Sequence, residues 1–395
     1  MPSNIDTAEQ PLMQTYNRFP IQIKAGKDSY VWDETGQAYL DYTAGIATCN
    51  LGHRPEPVKE KMEEQLNQLW HCSNLYYIPQ QEQLASQLTE SSCTDQVFFC
   101  NSGAEANEAA IKLARRYAQK VKQKETYEIV TFTQSFHGRT LGTLAATGQT
   151  KIQEGFAPLI EGFRYLSYND VGALDQLIQP NTCAVMLELV QGEGGVIPAD
   201  EAWVSELAEL CQQHGLLLMV DEIQTGMGRT GTLFAYEQYG IEPDVITLAK
   251  GLGSGFPIGA LLAKAEAAQA FDPGSHGSTF GGNPMAATAG LATIEAIKSQ
   301  DVVSLSQQNG EYLQKQLKAL QAAYPEQIVS VRGKGLLLGL VTHRPAAEII
   351  HQAREQNVLI LPAGANVVRI LPPLTTNQAE MDTFVEALNQ VFANL

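Results

Sequence analysis

Four groups of residues in this 395-residue chain have the types and spacing to do chemistry. Lys250 ends the apolar run VITLAK and stands directly before GLGSGFPIGA. Burial disfavours a charged ammonium, so a lysine at the mouth of a buried strand can present a neutral amine able to attack a carbonyl. The competing reading is a lysine whose stem lies along apolar surface while its head reaches water. Asp221 and Glu222 close the run LLLMVDE. A charge there is costly unless paired, so at least one of the two needs a partner or a pocket. Either could serve only the first turn of a following helix; set against a protonated ring nitrogen, Asp221 would instead stabilise negative charge developing elsewhere in a conjugated ring.

The third group opens the segment NSGAEANEAAIKLARRYAQ at 101–119. Ser102 and Glu105 have capping-box spacing, which by itself predicts no more than a well-started amphipathic helix. The small residues Ser102, Gly103 and Ala104 also let a phosphate approach the exposed amides of a helix end that favours its charge. The fourth is Phe136-His137-Gly138-Arg139, just beyond the run EIVTF. An aromatic beside a glycine turn can cover one face of a flat heterocycle, and an arginine fork can grip a carboxylate. Taken alone, Phe136 reads as packing and Arg139 as a surface cation.

These groups need elements to hold them. Short apolar runs at 97–100, 128–132, 183–189, 216–222, 245–250 and 258–263 alternate with helical patterns, which predicts strands buried on both faces with helices between them. In such open sheets, ligands gather outside the carboxyl ends of the strands. Before them, SYVWDETGQAYLDY predicts a hairpin turning at Glu34 to Gly36; after about residue 290, amphipathic helices alternate with the short strands IVSVRG, LLLGLV, VLILP and NVVRILP. The expected division is an N-terminal segment at 1–56, a large domain at 57–290 and a small α+β domain at 291–395.

Composition removes several function classes. With 26 Lys and Arg against 43 Asp and Glu, the net charge is −17, and no basic stripe suits nucleic acid or an anionic membrane. No apolar stretch approaches the roughly 20 residues of a membrane span, and no secretory leader is read at the N-terminus. Six cysteines without a C-x-x-C pair point to neither a disulfide framework nor zinc, and no metal is expected. A cytoplasmic protein is the expectation. GLGSG does not satisfy the dinucleotide fingerprint, which counts against a nucleotide-dependent oxidoreductase.

Taken in order, NSGAEANEAA, FHGRT, QGEGG, DEIQTGMGRTG, ITLAKGLGSGFPIGA and GSHGSTFGGNP resemble the class III pyridoxal-phosphate aminotransferases, and the resemblance runs over almost the whole chain. It implies an aspartate-aminotransferase-like α/β fold (pyridoxal-phosphate fold type I), whose large domain has a mostly parallel central sheet and is joined by a smaller α+β domain. It implies pyridoxal 5'-phosphate as cofactor, with Lys250 attaching to it and shuttling a proton, Asp221 pairing with its ring nitrogen, Gln224 near its phenolic oxygen, and Phe136 over the ring with His137 beside it. Ser102, Gly103 and Ala104 match the phosphate turn. Thr279 matches a residue reaching the phosphate from a neighbouring subunit, which implies a homodimer with shared active sites. For amino-acid and 2-oxo-acid substrates, Arg369 matches the arginine for an α-carboxylate, Arg139 one for the distal carboxylate of 2-oxoglutarate, and Glu193 the carboxylate that masks or releases Arg369. Ser278 and Tyr16 are further substrate-side candidates. The donors this implies are N-acetylornithine, with ornithine and succinyldiaminopimelate as rivals. The family's usual proline after Glu188 is replaced by Leu189, which leaves Gln191 and Glu193 in place.

Overall fold

The computed structural model describes residues 11–395. Polar–apolar alternation near the N-terminus forms an antiparallel meander of β1 (Ile23–Lys27), β2 (Tyr30–Asp33) and β3 (Ala38–Asp41), turning at Glu34 to Gly36 as the sequence predicts. The central strands follow: β4 (Gln96–Cys100), β5 (Glu128–Phe132), β6 (Phe163–Leu166), β7 (Thr182–Leu187), then a two-strand ribbon of β8 (Val190–Gln191) and β9 (Ile197–Pro198) that brackets the QGEGG turn, then β10 (Leu217–Asp221), β11 (Val245–Leu248) and β12 (Gly259–Ala263). Apart from the ribbon they make one seven-stranded sheet in the order β4-β12-β11-β10-β7-β5-β6. The neighbours from β11 to β6 pair in parallel, and β12 alone runs antiparallel to both β11 and β4. The sheet is therefore mostly parallel, as expected of the fold, and β7, β10, β11 and β12 are buried along their whole lengths.

Helices cover the sheet because their sequences start and stop them there. The helix Gly103–Arg116 is capped by Ser102 and turns Ala106, Ala109, Ala110 and Ala114 inward with Leu113; the small alanine side chains bring its backbone close to the sheet. The helix Glu201–His214 begins where Asp200 accepts a bond from the Trp203 amide (3.0 Å) and ends at Gly215, whose φ of +66° is the left-handed stop that glycine adopts without strain. Trp203 from this helix packs edge-on against Phe132 of β5 at 4.9 Å between ring centroids and against Tyr168 at 5.0 Å, anchoring the core on that side.

The C-terminal region builds a second, antiparallel sheet from β13 (Ile328–Lys334), β14 (Leu337–Thr342), β16 (Leu361–Pro362) and β17 (Val367–Ile370), in the order β13-β14-β17-β16. The helices Val302–Ala323, Ala346–Glu355 and Gln378–Ala393 accompany it. One short strand, β15 (Val358–Leu359), leaves this region to pair in parallel with β3, setting Val358 opposite Leu40. The two ends of the chain are thus knitted together. Among the described residues no helix is long and apolar enough to cross a membrane.

Topology brings one edge of the central sheet into focus. The carboxyl ends of β4, β5, β7, β10 and β11 release Asn101–Gly103, Phe136, Glu188, Asp221 and Lys250 on that edge, and antiparallel β12 begins there, with Gly259 opposite Cys100.

Candidate active site

A cavity of about 430 Å³ opens at this edge, lined by Thr48, Asn101–Ala104, Phe136–Arg139, Glu188, Asp221, Ile223, Gln224, Ala249, Lys250 and Gly255–Ile258. Nine of the sequence-derived candidates therefore meet around one space: Lys250, Asp221, Ser102, Gly103, Ala104, Phe136, His137, Gln224 and Arg139.

Its charged floor is built from β10. Asp221 is buried, and three donors converge on its carboxylate: Nδ1–H of His137 (2.8 Å) and Nδ2–H of Asn107 (2.8 Å) on Oδ2, and the Ile223 amide (3.0 Å) on Oδ1. Asn107 is itself fixed, donating to the His137 carbonyl at 2.8 Å and accepting from Thr247 at 2.7 Å. His137 Nε2 is buried without a hydrogen-bond partner. The next residue, Glu222, serves a different purpose. It turns away from the cavity, accepting from the Thr225 hydroxyl and from the Tyr236 amide at 2.9 Å.

Burial pushes the Glu222 carboxyl up to about 7. With the folded value above the usual carboxylate range, the folded state holds a proton that the unfolded chain has released. This contribution to stability is complete below about pH 4.5 and is lost as pH rises through about 7. Glu222→Gln keeps an acceptor for the Tyr236 amide and stays neutral, so it should be more stable than the parent at pH 8, by up to about 3 kcal/mol. Thermal melts at pH 8 and pH 5 test this: the gain should shrink toward pH 5, and equal melting shifts at both would refute the assignment.

Lys250 follows β11 by two residues with φ +43°, a left-handed backbone that a non-glycine residue holds only when its surroundings impose it. Removal from bulk water lowers its amine below the ordinary lysine range. Across the cavity, Ser102 Oγ accepts from the Glu105 amide (3.2 Å), and Glu105 returns its bond to the Asn101 amide (2.5 Å), one residue earlier than a capping box predicts. The Gly103 and Ala104 amides sit in the first turn, where no intrahelical carbonyl can take them, and both residues face the cavity. Any Cβ at Gly103 would come within 2.8 Å of Ile223 Cδ1, so glycine is what keeps this cradle open.

The substrate-side candidates divide. Arg369 lies on β17, buried, and grips Glu193 through both forks: Nη1 to Oε1 at 2.5 Å and Nη2 to Oε2 at 3.2 Å. Nη1 also donates to Gln224 Oε1 at 3.2 Å and to the Gly192 carbonyl at 3.2 Å, so the pair adjoins the cavity through Gln224. Burial alone would raise the Glu193 carboxyl; the Arg369 guanidinium overrides it and holds that carboxyl below its usual range. Arg139 is exposed at the rim, its guanidinium 5.6 Å from the centre of the Phe136 ring. Ser278 Oγ accepts from Asn101 Nδ2 at 3.3 Å beside the start of the Gly103–Arg116 helix, whereas Thr279 is exposed and outside the cavity wall. Tyr16 is 73% exposed, next to Arg18 rather than to the cavity.

Sequence reasoning gave no site role to Asn107, Glu188 or Thr48. Glu188 ends a fully apolar run, lines the cavity and accepts from the Phe136 amide at 2.9 Å; burial and then the neighbouring Asp221 charge raise its carboxyl well above the usual range. Its signal was a charge in CAVMLEL, and that of Asn107 was an amide on the buried face of an alanine-rich helix. Thr48 gave no comparable signal.

The donor set suits pyridoxal phosphate: a partly buried amine of lowered basicity, a buried carboxylate facing the cavity, an aromatic wall at Phe136 and a glycine-opened helix end for the phosphate. The family model described as Aminotransferase class-III matches residues 12–392. An acetylornithine aminotransferase of Oceanobacillus iheyensis is 56% identical over 393 residues, covering 100% of this chain and 98% of its own. The crystal structure of N-acetylornithine aminotransferase from Stenotrophomonas maltophilia K279a superposes with a TM-score of 0.83 at 36% identity, covering 95% of this chain and 96% of that one. An ornithine aminotransferase from Toxoplasma gondii, a structure with partial occupancy of pyridoxal phosphate at its active site, gives a TM-score of 0.93 at 30% identity, covering 97% of this chain and 92% of that one.

Proposed function

Because the chain belongs to the class III aminotransferases, which depend on pyridoxal phosphate, we propose that it moves the terminal amino group of N2-acetyl-L-ornithine to 2-oxoglutarate, giving N-acetyl-L-glutamate 5-semialdehyde and L-glutamate, a step of arginine biosynthesis. The observation that carries this reading is the bidentate Arg369–Glu193 pair beside a cavity whose wall holds Lys250 and Asp221.

The two substrates differ at the reacting carbon. In glutamate that carbon carries a carboxylate; in N-acetylornithine it carries none, and the carboxylate lies several bonds away. Arg369 left open would suit the first and present an unpaired buried cation to the second. Glu193 resolves this by closing on Arg369 for the acetylated donor and giving way to the carboxylate of glutamate, while Arg139 at the rim takes the far carboxylate. Bound against these residues, pyridoxal phosphate supplies an electron-accepting ring conjugated to the amino nitrogen. The Lys250 Nζ, kept uncharged more easily by its burial, would take the proton from the carbon that bears the amine. Asp221, held by His137, Asn107 and the Ile223 amide, would offer a negative charge to pair with the ring nitrogen. Gly103 and Ala104 would hold the phosphate, joined by Thr279 of a second copy in a homodimer with shared sites, working in the cytoplasm.

Removing the mask tests the gate. Glu193→Gln should lower kcat/KM for N-acetylornithine about tenfold, roughly 1.4 kcal/mol, while glutamate loses little or gains. Equal losses on both substrates would contradict the gate. The donor itself is tested by steady-state rates on N-acetylornithine, ornithine and succinyldiaminopimelate with 2-oxoglutarate as acceptor. A strong preference for unacetylated ornithine, the activity named for the Toxoplasma gondii structure, would reject the assignment of donor and leave the chemistry standing.

A further inference from the structure

Arg229, in the segment GMGRTG, is fully buried, and every hydrogen-bond partner of its guanidinium is a neutral oxygen. Nη1 donates to the carbonyls of Pro372 (2.5 Å) and Leu336 (3.1 Å), and Nη2 to Asn50 Oδ1 (2.8 Å); Nε has no partner. A buried cation without a carboxylate is costly to keep, and a hydrophobic side chain would fill the same space without that cost. What the guanidinium supplies is a rigid planar fork that reaches three separate stretches of chain at once, which a lysine ammonium on a flexible stem does not do.

Those stretches lead to both halves of the reaction centre. The carboxamide of Asn50 lies so close to Gly251 that a Cβ there would meet Asn50 Cγ at 2.7 Å, so Asn50 packs directly behind the residue after Lys250. The same carboxamide donates to the Met227 carbonyl at 3.0 Å, and the Asn50 carbonyl accepts from the Leu374 amide at 2.8 Å. On the other side, Pro372 lies three residues beyond Arg369, while Leu336 immediately precedes β14, in which Gly339 pairs with Arg369. The Leu336 amide in turn donates to the Arg229 carbonyl at 3.0 Å. One side chain therefore ties the turn that carries the reactive amine to the strand that carries the carboxylate-binding arginine.

We propose that Arg229 is a positioning residue that fixes the separation between the Lys250 amine and the Arg369 guanidinium, and so sets specificity for substrates with a carboxylate on the reacting carbon. The inference rests on the reading of Arg369 given above. Arg229→Lys keeps the charge and loses the fork. In the cofactor-loaded protein it should lower kcat/KM for glutamate about 10²-fold, the scale of a misplacement of roughly 1 Å, and lower that for N-acetylornithine no more than a few-fold.

A binding measurement needs no turnover. The dissociation constant of the unreactive dicarboxylate glutarate, measured by calorimetry, should rise in Arg229→Lys and rise no further when Arg369→Lys is added, because both changes break the same grip. Cofactor affinity and melting temperature should stay close to the parent's. If Arg229→Lys does not fold, Asn50→Ala cuts one arm of the fork and should show the same split between substrates to a smaller degree. Equal losses on both donors, or effects of Arg229→Lys and Arg369→Lys on glutarate that simply add, would overturn the proposal. An Arg369→Lys variant that binds glutarate as well as the parent would instead overturn the reading of Arg369 beneath it.

Discussion

Replacing Lys250 by alanine should lower the single-turnover rate with glutamate by at least about 10⁴-fold while leaving the fold intact. The size follows from the two functions proposed for Lys250, lost together: covalent attachment of the cofactor and proton transfer at the reacting carbon, the second alone worth about 10²- to 10⁴-fold. Stability should change little or improve, because the substitution removes an amine whose charge burial disfavours, while alanine holds the same left-handed φ of +43° no more easily than lysine. Two measurements bear on the result. Borohydride reduction of the parent should leave the cofactor's mass on the peptide containing Lys250 and leave none on the variant's. A small primary amine added to the alanine variant should restore part of the proton-transfer rate, since the space left by the side chain opens onto the cavity that Lys250 lines. A variant with more than a hundredth of the parent's rate would remove Lys250 from the chemistry, and label on another lysine would name its replacement.

How far this site could be read from sequence depended on whether each residue announced itself locally. Lys250 and Asp221 did, because each interrupts a run of apolar residues, and the strands β10 and β11 that carry them are buried over their whole lengths. β6 did not. It is four residues long, Phe163-Arg164-Tyr165-Leu166, and stands at the sheet edge with a single neighbour, so its sequence has no reason to be apolar on both faces. The reversed direction of β12 was equally silent, since a hydrophobic run reads the same whichever way the strand points. Asn107 shows a different limit: its bond to Asp221 spans 114 residues of chain, and nothing in its neighbourhood marks it as a partner rather than a polar residue in a helix. The pair Arg369–Glu193, 176 residues apart, became readable only because a family pattern supplied the link that spacing could not. Tyr16, whose flanking residues differ from the family pattern, has its side chain in solvent away from the cavity. Net charge proved a poor guide to the site: a chain of −17 still places Arg139 and Lys250 in one cavity wall, with Arg369 adjoining it through Gln224.

Asp221→Asn should lower kcat by about 10²- to 10³-fold, the scale found when one preorganised electrostatic partner of a reacting system is removed. The surroundings make this substitution harsher than its size suggests. Three N–H groups converge on the Asp221 oxygens, from His137, Asn107 and the Ile223 backbone, which is an arrangement only an anion satisfies in full. An asparagine must set its own amide hydrogens against one of them. With its oxygen toward His137 and Asn107, its nitrogen meets the Ile223 amide, a fixed backbone donor that cannot turn away. The flipped amide meets Asn107, whose other atoms are committed to Thr247. The imidazole of His137 can relieve part of the conflict by changing tautomer, since its Nε2 has no partner to lose. The rate loss should be the same for glutamate and for N-acetylornithine, because the role proposed for Asp221 is toward the ring common to both half-reactions and not toward the carboxylates in which the substrates differ. That equality separates it from the Arg229 and Glu193 variants, which act on one substrate at a time. Cofactor occupancy, read from absorbance before each assay, keeps a weaker grip on the ring from passing as a slower reaction. A loss confined to one substrate would place Asp221 among the specificity residues and take it away from the ring nitrogen.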